Sequence, residues 1–367
     1  MRPFACYAWE NKQAERAVRI LCVTTVRDEG PYLLEWIAHH RAAGVTDFLI
    51  YSNDCDDGTH EMLKILQMAG IVRHVPQEKV DGQSVQWQAL KAAWKHPLRQ
   101  RADWILVADV DEFVNIKVGD HTFADLIGAV SPEADAVVMQ WRLFGSAGVV
   151  DLTDAPVTAQ FSKAIPANQS YPIAASLCKT LFKPNGPFNM FGVHRPKQKD
   201  LAKARRPIMV DGSGLFLPEA FATTPARISM YGLPPGRDLV EMNHYAVRSA
   251  SAFLLKRARG LPNRKKDIGL NYWVERNFNT ETDVSVAAMR PATQAMFDKM
   301  LDLPGLRKLH QDALAWHKAQ FAALIREPVN QKLMTQIITA GSSAVVPKDL
   351  QKRLLTWYHE ANTSNEN

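Results

Sequence analysis

Short apolar runs alternate with segments of helical period through the first ~115 residues of the chain. The runs are nearly continuous in apolar side chains, as is usual for strands that are buried on both faces of a sheet. They read RILCVTTV, DFLIYS, IVRHV and WILVA. This alternation predicts an α/β fold with a Rossmann-like mixed sheet, mostly parallel and flanked by helices.

Residues that begin and end helices separate these runs. Pro31 and Gly44 bracket the first predicted helix. Gly70 ends the second, and we expect Thr59 to be its N-cap. A third helix has its apolar positions at Trp87, Leu90, Trp94 and Leu98. From about residue 130 the β-like pieces AVVMQW and SLCKTLF continue the sheet, and after about residue 250 the pattern predicts a helical C-terminal extension.

Polar side chains gather where three of the predicted strands end. These clusters are residues 24–29, 52–59 and 109–112. Because ligands of open α/β sheets bind at the carboxyl ends of the strands, the three clusters predict one shared site.

The pair Asp109 and Asp111 follows the fourth predicted strand. On an extended segment, residues two apart point to the same side, so we expect these carboxylates to converge on one ligand. Hard oxygen ligands suit Mg²⁺ or Mn²⁺. Taken alone, a solvated acidic turn explains the same pair at least as well. Its position at a strand end and the other polar clusters favour the metal site.

Composition narrows the class of protein. An apolar fraction of 46% and a charged fraction of 22% are ordinary for a soluble globular protein. The four cysteines show no CxxC pair, which argues against a disulfide framework or structural zinc. With no secretory signal and no apolar run of the ~20 residues that span a bilayer, we expect a cytoplasmic location, at most at the inner face of the membrane.

The net charge of +6 is concentrated in two basic clusters. They comprise Lys203, Arg205 and Arg206, then Lys256, Arg257, Arg259, Arg264, Lys265 and Lys266. Such clusters attract phosphate groups, whereas a solvated helix face explains either cluster taken alone. We expect no nucleic-acid partner, because the basic residues are not interleaved with aromatic ones and no recognition motif appears.

Five stretches, in this order, resemble glycosyltransferases of the family 2-like group with a GT-A fold, close to family 92. They are TVRDEGPYLLEWIAHHRAAGV, SNDCDDGT, ADVDEF, WRLFGSAG and NHYAVRSASAFLLKRARG, with GVHRP as a weaker sixth. The resemblance implies a catalytic domain over residues 18–275, in which 18–125 is the nucleotide-sugar half and 126–275 the acceptor half. Residues 1–17 are then a lead, and residues 276–367 the helical extension.

The resemblance also implies sugar transfer from a nucleotide diphosphate donor, usually a UDP-sugar, with Mn²⁺ or Mg²⁺. The acceptor is expected to be a glycan or a lipid-linked molecule, and the reaction to be inverting. The implied metal ligands are Asp109, Asp111 and His244, with Asp109 also near the ribose. Cofactor-binding residues on the nucleoside side are Thr25, Arg27, Glu29 and Asp54, while Lys256 and Arg259 neutralise the diphosphate. The chain departs from the pattern at Arg248, where lysine is more usual.

An inverting transferase needs a base that takes the proton of the acceptor hydroxyl. The sequence offers Glu112, His194, Asp211 and Glu241 and does not choose among them. Residues 144–146 are expected to form an acceptor-side loop, and Trp141 to be a core residue.

Rival functions fit the motifs less well. A phosphohydrolase of the haloacid dehalogenase type places its acid pair near the first strand, and a sugar nucleotidyltransferase needs an N-terminal glycine-rich loop that TTVRDEG lacks. The alternative that stays open is a non-catalytic binder of nucleotide sugars or polysaccharides with the same fold. Contact with a membrane surface and the oligomeric state also stay open.

Overall fold

The computed structural model describes residues 18–200, 202, 204–260 and 268–363. The predicted lead at residues 1–17 lies outside the described residues, as do Lys203, Arg264, Lys265 and Lys266 of the basic clusters. The boundaries at 125/126 and 275/276 stay predictions.

The strands, in chain order, are β1 (Ile20–Val26), β2 (Asp47–Ser52), β3 (Arg73–Pro76), β4 (Trp104–Val107), β5 (Glu112–Ile116), β6 (Ala136–Leu143), β7 (Lys163–Ala164), β8 (Cys178–Phe182), β9 (Met209–Asp211), β10 (Val240–His244) and β11 (Glu281–Thr282). The helices are α1 (Gly30–Ala42), α2 (Thr59–Met68), α3 (Val85–Lys95), α4 (Pro97–Arg101), α5 (Phe123–Ala129), α6 (Val157–Gln160), α7 (Glu219–Ala222), α8 (Ala250–Arg259), α9 (Leu270–Val274), α10 (Arg290–Leu301), α11 (Leu306–Leu324), α12 (Pro328–Ala340) and α13 (Lys348–Thr363).

Nine of the strands in the described part of the chain form one sheet, in the order β3-β2-β1-β4-β8-β6-β10-β5, with β9 beside β6. Pairing is parallel among β3, β2, β1 and β4, and between β6 and both β9 and β10. It is antiparallel on both sides of β8 and between β5 and β10. The predicted fold class, a mostly parallel mixed sheet with flanking helices and a helical C-terminal extension, is confirmed.

The four apolar runs of the first third form β1 to β4, and DFLIYS coincides with β2. Successive residues of a strand point to opposite faces of the sheet. In β1, Ile20 and Cys22 therefore join the core on one face, whereas Leu21 and Val23 join the core on the other. Burial on both faces explains why these runs are continuously apolar.

The helix signals are confirmed at α1, where Pro31 lies in the first turn and Gly44 follows the end with φ of 100°. The prediction that Thr59 caps α2 is wrong. Gly58 is the N-cap, in the left-handed conformation, and Thr59 is the first helical residue. The Thr59 hydroxyl instead accepts a hydrogen bond from the backbone N–H of Glu29 at 3.0 Å, which joins the β1–α1 loop to α2.

The C-terminal helices pack on helices that flank the sheet. Helices α10 and α11 lie against α1, and α11 also contacts α2 and α8. None of the helices in the described part of the chain has the length and apolar character to cross a membrane.

Candidate active site

Residues 109–111 lie in a turn between β4 and β5, in which the Glu112 N–H donates to the Asp109 carbonyl at 3.0 Å. The expectation that Asp109 and Asp111 converge is therefore wrong, because it assumed an extended backbone with side chains alternating at period two. The turn points the carboxylates to different partners. Asp109 faces residues of α3 and β8, and Asp111 faces residues of β10 and α8.

Asp109 is held by Lys179 of β8 and Gln86 of α3. The Lys179 Nζ donates to Asp109 Oδ2 at 2.9 Å, and the Gln86 amide donates to Asp109 Oδ1 at 3.1 Å. Lys179 is fully buried and also donates to the Val193 carbonyl at 2.9 Å. A buried ammonium needs such partners, because desolvation of an unpaired charge is costly. The Asp109 side chain keeps 35% of its surface exposed, so a ligand can still reach it.

Glu112 was a candidate base, but the structure places it beneath the turn with no exposed surface. Its Oε2 accepts from the Asp109 N–H at 2.8 Å and lies 3.1 Å from Lys179 Nζ. Burial raises the pKa of Glu112 to about 8, although Lys179 acts in the opposite direction. A carboxyl group without exposed surface cannot reach a substrate hydroxyl. Glu112 instead fixes the shape of the turn.

Asp111 lies between Lys256 of α8 and His244 of β10. The Lys256 Nζ donates to Asp111 Oδ2 at 2.6 Å and to the Ala246 carbonyl at 2.9 Å. Burial alone raises the pKa of Asp111, but Lys256 and then His244 outweigh burial and hold it well below its usual range. Asp111 is thus an anion at any pH at which the protein is expected to work.

His244 presents its ring edge to Asp111, with 3.6 Å between Nε2 and Asp111 Oδ1. The ring packs on Trp141 of β6, with 3.9 Å between the centroids. Burial lowers the pKa of His244, although Asp111 acts in the opposite direction. Its Nδ1 is buried without a hydrogen-bond partner among the described residues.

The predicted three-ligand metal set is not assembled. In the described part of the chain, no three His, Cys, Asp or Glu side chains are arranged to hold an ion. Asp109 is turned away toward Lys179, which leaves Asp111 and His244. Their facing atoms lie 3.6 Å apart, too far for a hydrogen bond. Adjacent ligand atoms about 2.1 Å from one Mg²⁺ lie about 3 Å apart, so this pair would hold a divalent cation after closing slightly, with the other positions filled by substrate phosphates.

Glu29, at the end of the β1–α1 loop, is buried between two guanidinium groups. Arg248 donates to Glu29 Oε2 at 3.0 Å and to the Val110 carbonyl at 3.0 Å, while Arg259 pairs with Glu29 Oε1. Burial alone raises the pKa of Glu29, but Arg259 and Arg248 lower it overall. Both oxygens of Glu29 therefore accept from arginines, and the carboxylate orients the two guanidinium groups. Arg248 links this loop to the turn with its planar fork, a geometry that a lysine could not reproduce.

The remaining residues predicted on the nucleoside side lie along the same edge of the sheet. Arg27 keeps 42% of its side chain exposed and lies near Asp28 and the Arg259 carbonyl. Arg259 donates to the carbonyls of Arg27 and Asp28 at 2.6 and 2.9 Å. Thr25 is half-buried on β1, opposite Tyr51 of β2. Asp54 is exposed at the tip of the β2–α2 turn.

His194 is the candidate base that the structure leaves beside the site. Its ring packs on Trp141, on which His244 also packs. The His194 Nδ1 lies 3.0 Å from the Cys178 carbonyl, and a carbonyl only accepts, so Nδ1 carries the proton and Nε2 the lone pair. Burial, assisted by Lys179, lowers the pKa of His194 to about 4, which keeps the ring neutral.

The other two candidate bases are structural. Glu241 has no exposed surface and pairs with Lys117 at 3.0 Å and Arg237 at 3.1 Å. It lies three positions before His244 on β10, so it points to the opposite face of the sheet. Asp211 is buried at the end of β9, where Oδ1 accepts from the N–H groups of Ser213 and Leu215.

The sequence did not predict three residues in or near the site, namely Lys179, Gln86 and His317. The signal for Lys179 was the single charge within the apolar strand SLCKTLF, since a lysine is almost never buried without a carboxylate partner. The Trp141 expectation is met, since the ring is buried and supports the two histidines.

The chain is similar to known proteins of one glycosyltransferase family. Residues 19–210, just over half of the chain, match the model of glycosyltransferase family 92. A family 92 protein of Oryza sativa subsp. japonica is 28% identical over 158 residues, which are 41% of this chain and 26% of that protein. A family 92 protein of Arabidopsis thaliana is 26% identical over 174 residues, 42% of this chain and 28% of that protein.

The chain therefore spans about a quarter of the length of these curated relatives. Among solved structures, S. aureus TarS 1-349 aligns over 88% of both chains at 11% identity, with a TM-score of 0.30, a likeness too weak to inform the site. The ordered motifs and the family match lead to one conclusion: the chain belongs to glycosyltransferase family 92.

Proposed function

We propose that this chain transfers a sugar from a nucleotide diphosphate donor to a hydroxyl group of an acceptor. The proposal rests mainly on one observation. Two cations of α8 lie at the 109–111 turn and the β1–α1 loop, where Lys256 donates to Asp111 and Arg259 pairs with Glu29. Lys256 and Arg259 are three residues apart on that helix and therefore share a face. Carboxylates and phosphate-binding cations in one partly buried site are what a nucleotide diphosphate sugar requires.

The cations act on the leaving group. As the acceptor oxygen forms its bond to the anomeric carbon, the bond from that carbon to the diphosphate oxygen breaks. The electron pair passes to the diphosphate. Lys256 and Arg259 are already held in place by Asp111 and Glu29, so they stabilise the growing charge without reorganising. Arg27, which is partly exposed, is free to close on the phosphates.

We also propose that Asp111 and His244 hold Mn²⁺ or Mg²⁺ together with the donor phosphates. When bound, such a cation acts as a Lewis acid on the diphosphate oxygens. Asp109 then contacts the nucleotide sugar from the other side of the turn. Its carboxylate is held there by Lys179 and Gln86. The role of Asp109 in this proposal is to accept a hydrogen bond from a donor hydroxyl, not to ligate the metal.

His194 is our choice for the base of an inverting transfer. Its Nε2 carries a free lone pair that can accept the proton of the acceptor hydroxyl, and its lowered pKa makes it a weaker base than an exposed histidine. The shared packing on Trp141 places it on the same side of the sheet as His244. By analogy with the family, the donor is proposed to be a UDP-sugar and the acceptor a glycan or lipid-linked molecule, with the protein in the cytoplasm.

The test is a panel of UDP- and GDP-sugars, incubated with the purified protein with and without Mn²⁺. We expect one donor to be hydrolysed or transferred only when the metal is present. Tight donor binding without turnover, even with acceptor extracts added, would favour the non-catalytic binder. Turnover that is equally fast in EDTA would remove the metal from the proposal and leave the cations of α8 to stabilise the leaving group.

A further inference from the structure

Helix α11 of the C-terminal extension is joined to the loops of the proposed donor site through a buried hydrogen bond. His317 Nε2 lies 2.9 Å from Asp57 Oδ2, and the Asp57 side chain has no exposed surface. Asp57 also accepts from the Gly30 N–H at 2.8 Å and from the Thr59 N–H at 2.9 Å. One carboxylate thus joins α11 to the beginnings of α1 and α2.

The approach of α11 to α1 is unusually close. A Cβ built on Gly30 would lie 2.6 Å from the Ala313 Cβ and 3.0 Å from Asp57 Oδ2. Only glycine at position 30 therefore allows α11 to lie where it does. Because Gly30 follows Glu29 directly, the position of α11 is coupled to the β1–α1 loop, which carries Arg27 and Glu29.

This packing makes α11 one wall of a cavity of about 210 Å³. The opposite wall carries the cations proposed to bind the diphosphate, namely Arg27, Lys256 and Arg259. From α11 the cavity is lined by Trp316, His317, Gln320 and Leu324. Trp316 and Gln320 are both half-buried, so they keep surface that a ligand can contact.

We propose that Trp316 and Gln320 contact the nucleoside part of the donor while the cations across the cavity hold its phosphates. The inference rests on the proposed function and extends the donor site beyond residues 19–210, the part that the family model covers. An aromatic face stacks on a nucleobase, and a carboxamide offers both a donor and an acceptor to a polar ring or a ribose. A nucleoside diphosphate is the ligand class that satisfies both walls at once.

The experiment measures the affinity of the full chain for UDP, with GDP in parallel, by calorimetry in the presence of Mn²⁺. Trp316→Ala is compared with wild type and with Trp357→Ala, which removes a tryptophan that is 49% exposed on α13. We expect Trp316→Ala to weaken nucleotide binding about tenfold, as loss of one base-stacking contact does. Trp357→Ala should bind as wild type does. Inorganic pyrophosphate is the second probe, and its affinity should be unchanged by Trp316→Ala.

Two further variants guard against a folding defect. Trp316→Phe keeps an aromatic face and should recover most of the nucleotide affinity, and Gln320→Ala should lose part of it with an unchanged melting temperature. Equal UDP affinity for wild type and Trp316→Ala would overturn this inference and leave the proposed function intact. If Trp316→Ala weakened the binding of UDP and of pyrophosphate equally, the inference would also be overturned. Trp316 would then affect the shape of the cavity and would not contact the nucleoside. Wild type that binds neither nucleotide would remove the proposed function and this inference together.

Discussion

At the residue scale, the two aspartates of one short motif have different surroundings. Asp109 is paired with a fully buried lysine, and Asp111 with a lysine and a histidine at the edge of the site. The residue types and their chemistry were readable from the sequence. The directions in which the two carboxylates point were not predictable. The alternation of side chains requires an extended backbone, whereas a hydrogen bond between Asp109 and Glu112 folds this segment into a turn. Lys179 escaped prediction because its partners are 70 and 67 positions away in the chain.

Lys179→Met should destabilise the protein strongly. The change leaves Asp109 and Glu112 without the cation between them, and breaking a buried pair by removing one partner costs about 3 to 5 kcal/mol. Urea unfolding measures the effect. Lys64→Met is the matched control, since Lys64 is 58% exposed in a surface pair with Glu61 and its loss should change stability by less than ~0.5 kcal/mol. Similar stability of the two variants would mean that the buried cluster does not hold the turn.

At the element scale, strands and helices were predicted well where the hydrophobic pattern was strong. β1 to β4 follow continuous apolar runs, and α1 lies between its proline and glycine signals. The order of the second half of the sheet was not predictable, because β8 and β5 insert antiparallel by contacts that are distant in sequence. Docking of α11 escaped prediction for the same reason, since its contacts include pairs such as Asp57 and His317, which are 260 positions apart in the chain.

Gly30→Ala should weaken the docking of α11. The new methyl group would lie 2.6 Å from Ala313 Cβ, so the helices must separate, at a cost of about 1 to 3 kcal/mol. Gly128→Ala in α5 is the control, because no atom lies within 4 Å of a Cβ there and alanine favours helix. The double change Gly30→Ala with Ala313→Gly should recover stability. Thermal unfolding compares wild type, the two single variants and the double variant. A melting temperature of Gly30→Ala equal to that of wild type would argue against the close approach of the two helices.

At the scale of the whole molecule, stability is expected to depend on buried neutral histidines. Burial lowers the pKa of His39 to about 4, and burial with the neighbouring His39 lowers that of His40 to about 3. Between these values and the ordinary value of about 6.5, the unfolded chain binds protons that the folded chain does not. These histidines therefore make the free energy of unfolding fall as the pH drops from ~6.5 toward ~4. The raised pKa of Glu112 acts in the opposite direction below pH ~8.

The comparison of wild type with His40→Gln isolates one of these groups. Relative to the variant, wild type should lose up to about 1.4 kcal/mol of stability for each pH unit below ~6.5. Urea unfolding at several pH values between 4 and 8 gives the two curves. Parallel curves over this range would mean that His40 is protonated equally in the folded and unfolded states, contrary to its burial in the core.

The most direct test of the donor site is the activity of Asp111→Asn on the nucleotide sugar that wild type uses. The change keeps the shape of the side chain and removes the charge that faces Lys256 and His244. We predict a fall in kcat/KM of at least about 100-fold and loss of the Mn²⁺ dependence of donor binding, because charge stabilisation at the leaving group is lost. Asp120→Asn, in an exposed loop, should act as wild type does. Full activity of Asp111→Asn would contradict the assignment of the 109–111 turn as the donor site.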